Sequence, residues 1–266
     1  MEDIKKVVQE KYSEIAKQSK DQNETSCCGS TGCCGEVDYT IFSDDYSELK
    51  GYNKDADLGL GCGIPTEFAE IQEGNAVLDL GSGAGNDCFV ARSIVGESGK
   101  VVGIDFTDEM LEKAIANNKK LGFQNVDFIK GDIEKMPLED DQFDLVISNC
   151  VLNLVPNKEK AFHEISRVLK SGGHFCISDV VIQGNLPDKL KQDAEMYAGC
   201  VSGAIEKKQY LDLIRKNNFA NITIEKEKEI EIPNSILLNY MTLEELRKFK
   251  KDRIGIFSIT VKGFKN

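Results

Sequence analysis

Apolar residues near the start of the chain recur at the spacing of an α-helix. Val7, Val8, Tyr12 and Ile15 fall on one side of a helical projection, which predicts an amphipathic helix over about the first eighteen residues. The next segment, residues 21–38, is polar, rich in Gly and Ser, and aperiodic. This composition is typical of a loop or a mobile arm.

From residue 75 onward, short apolar runs alternate with helical segments. Helices are predicted near residues 85–95, 108–121 and 158–170. The runs predicted as strands are AVLDL, KVVGIDF, VDFIKGD, FDLVISN and GHFCISDV. This alternation indicates repeated strand–helix–strand units and a mostly parallel sheet covered on both faces. The fold class is therefore predicted to be α/β, doubly wound and Rossmann-like.

The pattern changes after Val181. Two helices are predicted, near residues 187–198 and 206–217, and residues 222–232 and 254–264 have the alternation of closing strands. The glutamates that alternate along the first of these strands are interpreted as its solvated face.

Three regions follow from these patterns. Residues 1–60 are predicted to form the N-terminal helix and a cysteine-rich arm, residues 61–183 the α/β domain, and residues 184–266 a smaller α+β region.

Charge restricts the class of partner. The formal net charge is −12 and the isoelectric point about 4.8, so nucleic acid and anionic membranes would repel the protein, and a small substrate is expected. The N-terminus lacks the apolar core of a signal peptide and no run approaches the length of a membrane span. We expect a cytoplasmic protein that acts as a monomer.

Cysteine is abundant for a protein of a reducing compartment. There are nine cysteines, at positions 27, 28, 33, 34, 62, 88, 150, 176 and 200. Only His163 and His174 accompany them, and no C-x-x-C pair occurs, so a structural zinc site is poorly supplied with ligands. Thiol chemistry or the binding of a soft ion is a better match to this composition.

The first strand runs directly into the glycine loop GSGAG, with Gly81, Ser82, Gly83 and Gly85. Glycine permits the tight turn and lets a ligand approach the backbone, although such turns also occur without a ligand. The spacing differs from the G-x-G-x-x-G of a pyrophosphate site. Asp79 precedes the loop, and its carboxylate would repel a diphosphate but tolerate a sulfonium and an ammonium group.

Two further acids end strands of the predicted sheet. Asp105 comes twenty residues after Gly85, where a carboxylate can accept both hydroxyls of a ribose. Asp132 is predicted to lie within reach of an adenine amino group. The remaining candidate cofactor contacts stand beside these acids, in the glycine loop or at the end of the fourth strand: Phe106, Ile133 and Asn149, with Asn86 and Asp87 as secondary candidates.

Together these features resemble a class I S-adenosylmethionine methyltransferase over about residues 75–180. In an open α/β sheet, ligands bind outside the carboxyl ends of the strands. Cys150 follows Asn149 at such an end, so its thiol is expected on the rim of the cofactor site.

The cysteines fall into two groups. Cys88 lies in a predicted helix and Cys176 in a predicted strand, and both are expected to fill the core. Cys62, Cys150 and Cys200 lie at element ends or beside glycines, which is expected to present each thiol rather than bury it. From the residues alone, core packing and a joint functional role both remain open for these three.

Five motifs, LGLGCGIPT, VLDLGSGAGND, GIDFTDEM, ISNCVLNL and AGCVSGAI, resemble those of the arsenite S-adenosylmethionine methyltransferases, over about residues 33–205. The resemblance implies methylation of trivalent arsenic, as arsenite or its thiol adduct, in arsenic detoxification. It further implies that Cys62, Cys150 and Cys200 hold the arsenic as thiolates, and that Cys34 is a fourth thiol for reduction and disulfide exchange. Thioredoxin or glutathione would then restore the thiols.

Two positions depart from the family's pattern. Phe106 stands where the family often has Met, which is expected to alter only packing on the cofactor. Cys27 and Cys28 form a second pair that has no counterpart in the motifs. They could bind arsenic, exchange disulfides or have no chemical role.

A site of three thiolates suits soft trivalent arsenic better than a hard ion, and leaves a lone pair on arsenic for in-line methyl transfer. No general base is needed, although Asp179 and Glu195 are retained as candidates. Two alternatives stay open: a soft-ion sequestration or redox protein on a methyltransferase fold, and a methyltransferase for a small organic acceptor with structural cysteines.

Overall fold

The computed structural model describes residues 2–18, 20, 23, 44–187, 190 and 203–266. Several predicted features lie outside these residues: nearly all of the arm predicted at residues 21–38, with its four cysteines, most of the predicted helix near 187–198, Glu195 and Cys200.

Seven strands form one sheet, in the order β3-β2-β1-β4-β5-β7-β6. The strands are β1 (Ala76–Leu80), β2 (Lys100–Asp105), β3 (Val126–Lys130), β4 (Phe143–Asn149), β5 (Leu169–Gln183), β6 (Phe219–Ile230) and β7 (Gly255–Lys265). Neighbours among β1 to β5 are parallel, whereas β7 runs antiparallel to both β5 and β6. The predicted α/β class and the mostly parallel sheet are confirmed.

With three exceptions, the helices lie where the 3.6-residue period of apolar side chains predicts them. They are α1 (Glu2–Ala16), α2 (Pro65–Phe68), α3 (Asn86–Val95), α4 (Asp108–Leu121), α5 (Lys158–Val168), α6 (Lys207–Lys216), α7 (Asn234–Leu237) and α8 (Leu243–Lys251). The exceptions are α2, α7 and α8. The short helices α2 and α7 have four residues each, too few to show a helical period, and α8 was not predicted either. A signal for α8 exists, because Thr242 and Glu245 form a capping box at its first turn.

Both faces of the central strands β1 and β4 are buried, which explains their nearly continuous apolar runs. Successive residues of β1 serve opposite faces: Leu78 and Leu80 pack with Phe162 of α5, and Val77 packs with Phe89 of α3. Each such side chain contributes about 1.5–3 kcal/mol when fully buried. Strong burial on both faces therefore fixes the register of the strand ends that carry the candidate site.

The C-terminal region adds its two strands to the same sheet. Strand β7 pairs with β5 from His174–Phe264 to Gln183–Gly255, so β5 is a central strand rather than an edge. Within the described part of the chain, no helix is both long and apolar enough to cross a membrane.

The strand order reverses between β1 and β4. From β1 the chain proceeds outward to β2 and β3, and it then returns to place β4 on the other side of β1. Such a reversal leaves a crevice outside the carboxyl ends of the two central strands, which is the usual ligand site of an open α/β sheet.

Candidate functional site

The glycine loop makes the turn from β1 into α3. Gly81, Gly83 and Gly85 have φ values of 64°, 51° and 98°, in the left-handed region that favours glycine. A Cβ on Gly81 would lie 2.5 Å from the side chain of Val151. The loop therefore needs glycine both for its conformation and for close contact with the segment that follows β4.

Asp105, at the end of β2, holds this loop. Its Oδ2 accepts a hydrogen bond from the Gly83 N–H at 3.0 Å, and its Oδ1 accepts one from the Thr107 N–H at 2.9 Å. Burial raises the pKa of Asp105, and these N–H groups oppose that rise. The carboxylate also lines the cleft described next, where a ribose contact remains a prediction.

A cleft opens above the carboxyl ends of β1 and β4, the position where small molecules usually bind to an open α/β sheet. Its walls come from α1 with Tyr12, from the segment with Tyr46, from the glycine loop, and from Cys150 and Val151. Neither tyrosine is among the site residues predicted from the sequence. Tyr12 lies on the apolar side of the predicted helix, and nothing local to Tyr46 marks it, because it reaches the cleft only through tertiary packing.

Four carboxyl groups line this cleft, those of Asp57, Asp79, Asp87 and Asp105. Burial, reinforced by the charge of Asp87, raises the pKa of Asp79 well above its usual value. Burial raises the pKa of Asp87 to about 6, against the hydrogen bonds from Tyr46 and Asn149 that lower it. A buried group of acids strongly favours a cationic ligand over an anionic one.

Two buried polar atoms in the cleft have no hydrogen-bond partner among the described residues, Ser82 Oγ and Asn86 Oδ1. Buried polar atoms are normally satisfied, so such an exception calls for a ligand or water. The cationic sulfonium and ammonium of S-adenosylmethionine, together with its hydrogen-bonding groups, match these acids and unsatisfied atoms. The residues present therefore fit this cofactor.

Asp132 lies beside the cleft but is engaged elsewhere. Its Oδ2 contacts Lys5 Nζ of α1 at 2.6 Å, and its Oδ1 accepts the Glu134 N–H at 2.9 Å. Its neighbours Gly131 and Ile133 line the cleft. The predicted contact with an adenine amino group would have to share a carboxylate that already binds Lys5.

Phe106 and Thr107 line the same wall as Asp105. The carbonyl of Phe106 accepts a hydrogen bond of 3.4 Å from Gln9 Nε2 of α1. The side of the cleft that the sequence assigned to the ribose is therefore bounded partly by the N-terminal helix.

Cys62 and Cys150 belong to one packed cluster that also contains Val180 and Ile182 of β5. Their exposed fractions are only 1% and 3%, so the expectation that neighbouring glycines present these thiols rather than bury them is wrong. The glycines serve another purpose: a Cβ on Gly61 would lie 2.6 Å from Asn149 Nδ2. They allow the loop of Cys62 to pack directly on the end of β4.

Cys150 is nevertheless accessible to the cleft, which it lines. Its φ of 60° is in the left-handed region, a conformation that costs a non-glycine residue about 1–3 kcal/mol and that clusters at functional sites. Its N–H donates to the Ser178 carbonyl at 2.8 Å. The backbone of Cys150 thus turns sharply while remaining fixed to β5.

Cys88 and Cys176 have no exposed surface, in agreement with the predicted core positions. Burial raises the pKa of Cys176 to about 12. Cys88 has an additional contact, because its thiol donates a hydrogen bond to Asp79 Oδ2 at 3.2 Å. Cys176 is therefore the cleaner example of a core thiol.

Asp179, retained in the sequence analysis as a candidate base, is fully buried. Burial raises its pKa to about 7, against the charge of Lys158. Its Oδ2 accepts a hydrogen bond from the Tyr210 hydroxyl at 3.1 Å. The carboxyl group is held within the protein beside the cysteine cluster and does not line the cleft.

A family model described as a methyltransferase domain matches residues 71–226. The chain belongs to this methyltransferase family. Curated relatives confirm the predicted resemblance to arsenite methyltransferases. This methyltransferase is 43% identical to the arsenite methyltransferase of Halobacterium salinarum over 215 residues. The match covers 76% of this chain and 54% of that one. It is 35% identical to the human arsenite methyltransferase over 247 residues, 86% of this chain and 63% of the human one.

Solved structures give a consistent result. CrArsM, an arsenic(III) S-adenosylmethionine methyltransferase from Chlamydomonas reinhardtii, superposes with a TM-score of 0.64 at 38% identity, covering 77% of this chain and 67% of that one. The YcgJ protein of Bacillus subtilis superposes with a TM-score of 0.63 at 23% identity, covering 76% and 96%, and supports the fold alone. The methyltransferase spans about half to two thirds of the length of its curated arsenite relatives.

Proposed function

We propose that this methyltransferase transfers a methyl group from S-adenosylmethionine to trivalent arsenic held by cysteine thiolates, as a step in arsenic detoxification. The observation that carries the proposal is that Cys62 and Cys150 belong to one packed cluster, in which Cys150 lines the cofactor cleft. Their motifs lie far apart in the sequence, and they are the same motifs that resemble arsenite methyltransferases.

In this proposal the cleft holds the cofactor. Asp105 contacts the ribose, Asp79 and Asp87 face the ammonium and sulfonium charges, and Ser82 and Asn86 contribute the polar atoms that lack partners in the protein. Bound there, S-adenosylmethionine would supply an electrophilic methyl group on a positively charged sulfur. The chain's own contribution is to exclude water and align the acceptor, which supplies much of the rate in such transfers.

The arsenic side uses Cys62, Cys150 and Cys200. Each thiol displaces one hydroxyl of arsenous acid: a sulfur–arsenic bond forms, an oxygen–arsenic bond breaks, and the thiol proton leaves with the hydroxyl as water. Three such exchanges release three waters and leave arsenic with three thiolates and one lone pair. Thiolates are the soft ligands that this element prefers.

No base is required for these exchanges, because each thiol proton leaves as part of the water formed from the hydroxyl group that the thiol displaces. Asp179 has no assigned part in them, and it is enclosed with Tyr210 and Lys158.

The same proposal includes a reductant, because methylation at the lone pair takes arsenic from the trivalent to the pentavalent state. Two thiols of the protein would supply the two electrons that return methylated arsenic to the trivalent state, and they would become a disulfide. Cys34 would serve as the fourth thiol, and thioredoxin or glutathione would restore the thiols by exchange. Cytoplasmic location and action as a monomer remain parts of this proposal.

The test is Cys150→Ser measured beside Cys176→Ser. Both remove a buried thiol from the same half of the sheet. The melting temperature, S-adenosylmethionine affinity and methylation of arsenite are compared on one preparation of each full-length variant. A serine hydroxyl is a poor ligand for arsenic, so Cys150→Ser should lose arsenite binding and methylation while keeping cofactor affinity.

Cys176→Ser should show the opposite pattern. Its buried hydroxyl costs on the order of 1–3 kcal/mol of stability, and activity should persist in the folded protein. A folded Cys150→Ser protein that methylates arsenite near the wild-type rate would rule out the thiolate mechanism.

A further inference from the structure

Asn149 lies at the junction of the two halves of the site. It is the last residue of β4, immediately before Cys150, and its side chain lines the cofactor cleft. Its Oδ1 accepts a hydrogen bond of 3.0 Å from the Cys62 N–H, 87 residues away in the sequence. One side chain therefore connects the backbones of the two cysteines.

The amide nitrogen of Asn149 is also engaged. Nδ2 lies 2.8 Å from the Gly63 carbonyl, 2.7 Å from the Tyr46 hydroxyl and 3.3 Å from Asp87 Oδ2. The amide thus binds the backbone of the Cys62 loop at two points, the Cys62 N–H and the Gly63 carbonyl. Because these groups accept or donate in fixed directions, the amide has a single orientation that satisfies them.

The neighbouring residues leave this loop little freedom. The Cys62 carbonyl accepts a hydrogen bond from Ser258 Oγ of β7. A Cβ on Gly61 would lie 2.6 Å from Asn149 Nδ2, and one on Gly63 would lie 2.6 Å from Ser178 Oγ. The spacing of glycines in LGCGIP therefore matches a loop that packs against the end of β4 and against Ser178 in the neighbouring stretch of β5.

Resting on the proposed function, we propose that Asn149 is a positioning residue for the arsenic site: it holds Cys62 at the distance from Cys150 that trivalent arsenic requires. A three-coordinate arsenic needs its sulfurs at fixed separations, and a ligand on a loop satisfies this only if the loop is anchored to the strand that carries the other ligand. The amide of Asn149 provides that anchor. Its effect on arsenic passes through Cys62, so Asn149 is not itself a ligand.

The alternative assignment of Asn149 is as a cofactor contact, which the sequence predicts. The two roles differ in what a substitution changes. Loss of a cofactor contact weakens S-adenosylmethionine binding, whereas loss of the anchor weakens arsenite binding and changes the number of sulfurs bound to arsenic.

The experiment compares Asn149→Ala, Gly61→Ala and the matched control Asn153→Ala with the wild type. Asn153 is a buried amide on the same rim that donates to the Val180 carbonyl at 2.9 Å. Gly61→Ala perturbs the same contact by displacing the amide instead of deleting it. Measurements at about pH 8 keep Asp87 ionised, because its pKa is about 6.

Arsenite affinity, S-adenosylmethionine affinity and the number of arsenic–sulfur bonds by X-ray absorption are measured on each protein. We expect Asn149→Ala and Gly61→Ala to weaken arsenite binding at least about tenfold, the equivalent of one net hydrogen bond. The number of arsenic–sulfur bonds should fall from three toward two. Cofactor affinity should change much less, and Asn153→Ala should leave arsenite binding unchanged.

Several outcomes would overturn the assignment. One is a folded Asn149→Ala protein that keeps wild-type arsenite affinity and three arsenic–sulfur bonds. Another is an equal loss of arsenite affinity and cofactor affinity in all three variants. If Asn149→Ala fails to fold, Gly61→Ala decides by the same criteria. A wild-type protein that binds no arsenite would instead refute the proposed function, which keeps the two failures distinct.

Discussion

Lys5 Nζ lies 2.6 Å from Asp132 Oδ2, although the two residues are 127 positions apart in the sequence. The same ammonium contacts the carboxylate of Glu134. These contacts fasten α1 to the segment that follows β3, where Gly131 and Ile133 line the cleft. The N-terminal helix is therefore a wall of the candidate cofactor site.

Lys5→Ala should weaken S-adenosylmethionine binding. Partly exposed ion pairs contribute about 0.2–1 kcal/mol each. Without two of them, α1 and its Tyr12 are held less firmly against the cleft, and cofactor affinity should fall several-fold. Titration calorimetry at low and high salt measures this, and the difference between wild type and variant should shrink at high salt. Lys6→Ala is the control, because Lys6 pairs with Glu10 of the same helix, at 3.9 Å from Nζ to Oε1. Tighter cofactor binding by Lys5→Ala would instead indicate that Lys5 competes with adenine for Asp132.

Asp105→Ala should reduce S-adenosylmethionine affinity by more than about tenfold, because charge-assisted hydrogen bonds contribute about 1.5–3 kcal/mol each. Arsenite affinity should be retained. The variant should also melt at a lower temperature, since Asp105 accepts the N–H groups of Gly83 and Thr107. Asp108→Ala, which removes an exposed partner of Lys130, is the control. Unchanged cofactor affinity in Asp105→Ala would contradict the ribose assignment.

Cofactor affinity should depend on pH through Asp87. Its pKa in the protein is about 6, so the carboxyl group is neutral at pH 5 and charged at pH 7. A cation binds the charged form more tightly, and S-adenosylmethionine affinity should therefore rise across this interval. Asp57, Asp79 and Asp105 line the same cleft, so Asp87→Asn should flatten the profile in part. A wild-type profile that is flat between pH 5 and pH 7 would refute the role of Asp87.

Stability should depend on pH through Asp179, whose pKa is about 7 in the folded protein against a usual 3.8. The folded state therefore binds this proton more tightly than the unfolded state, and the free energy of unfolding should fall as pH rises from about 4 to about 7. The contribution is at most a few kcal/mol, at about 1.4 kcal/mol per pKa unit. Urea denaturation at several pH values measures it.

Asp179→Asn should reduce this slope, because the amide resembles the neutral carboxyl group that burial favours and does not titrate. The control is Asp212→Asn on α6, whose pKa is lowered by its hydrogen bond with Lys208. Its carboxylate stays ionised throughout the interval, so its substitution should leave the slope unchanged. Equal slopes in wild type and Asp179→Asn would show that Asp179 does not titrate there.

The sequence by itself determined the order of strands and helices in the α/β domain. Strands such as AVLDL and FDLVISN are apolar on both faces because helices cover both sides of a parallel sheet. The glycine loop was identifiable for a related reason: only glycine readily adopts the left-handed φ values seen at Gly81, Gly83 and Gly85. These signals are local, so they can be read from neighbouring residues in the chain.

Tertiary structure alone decided how distant segments meet. Nothing near Tyr46 in the sequence marks it as part of the cleft, and nothing near Lys5 shows that it contacts Asp132. Nothing near Asn149 shows that it binds the Cys62 loop. The burial of Cys62 and Cys150 also depended on packing. A loop rich in glycine can either expose a thiol or let a neighbouring segment pack closely and bury it. Such contacts arise when the sheet closes and brings strand ends together, and the free energy that selects them is spread over the whole core rather than over any one motif.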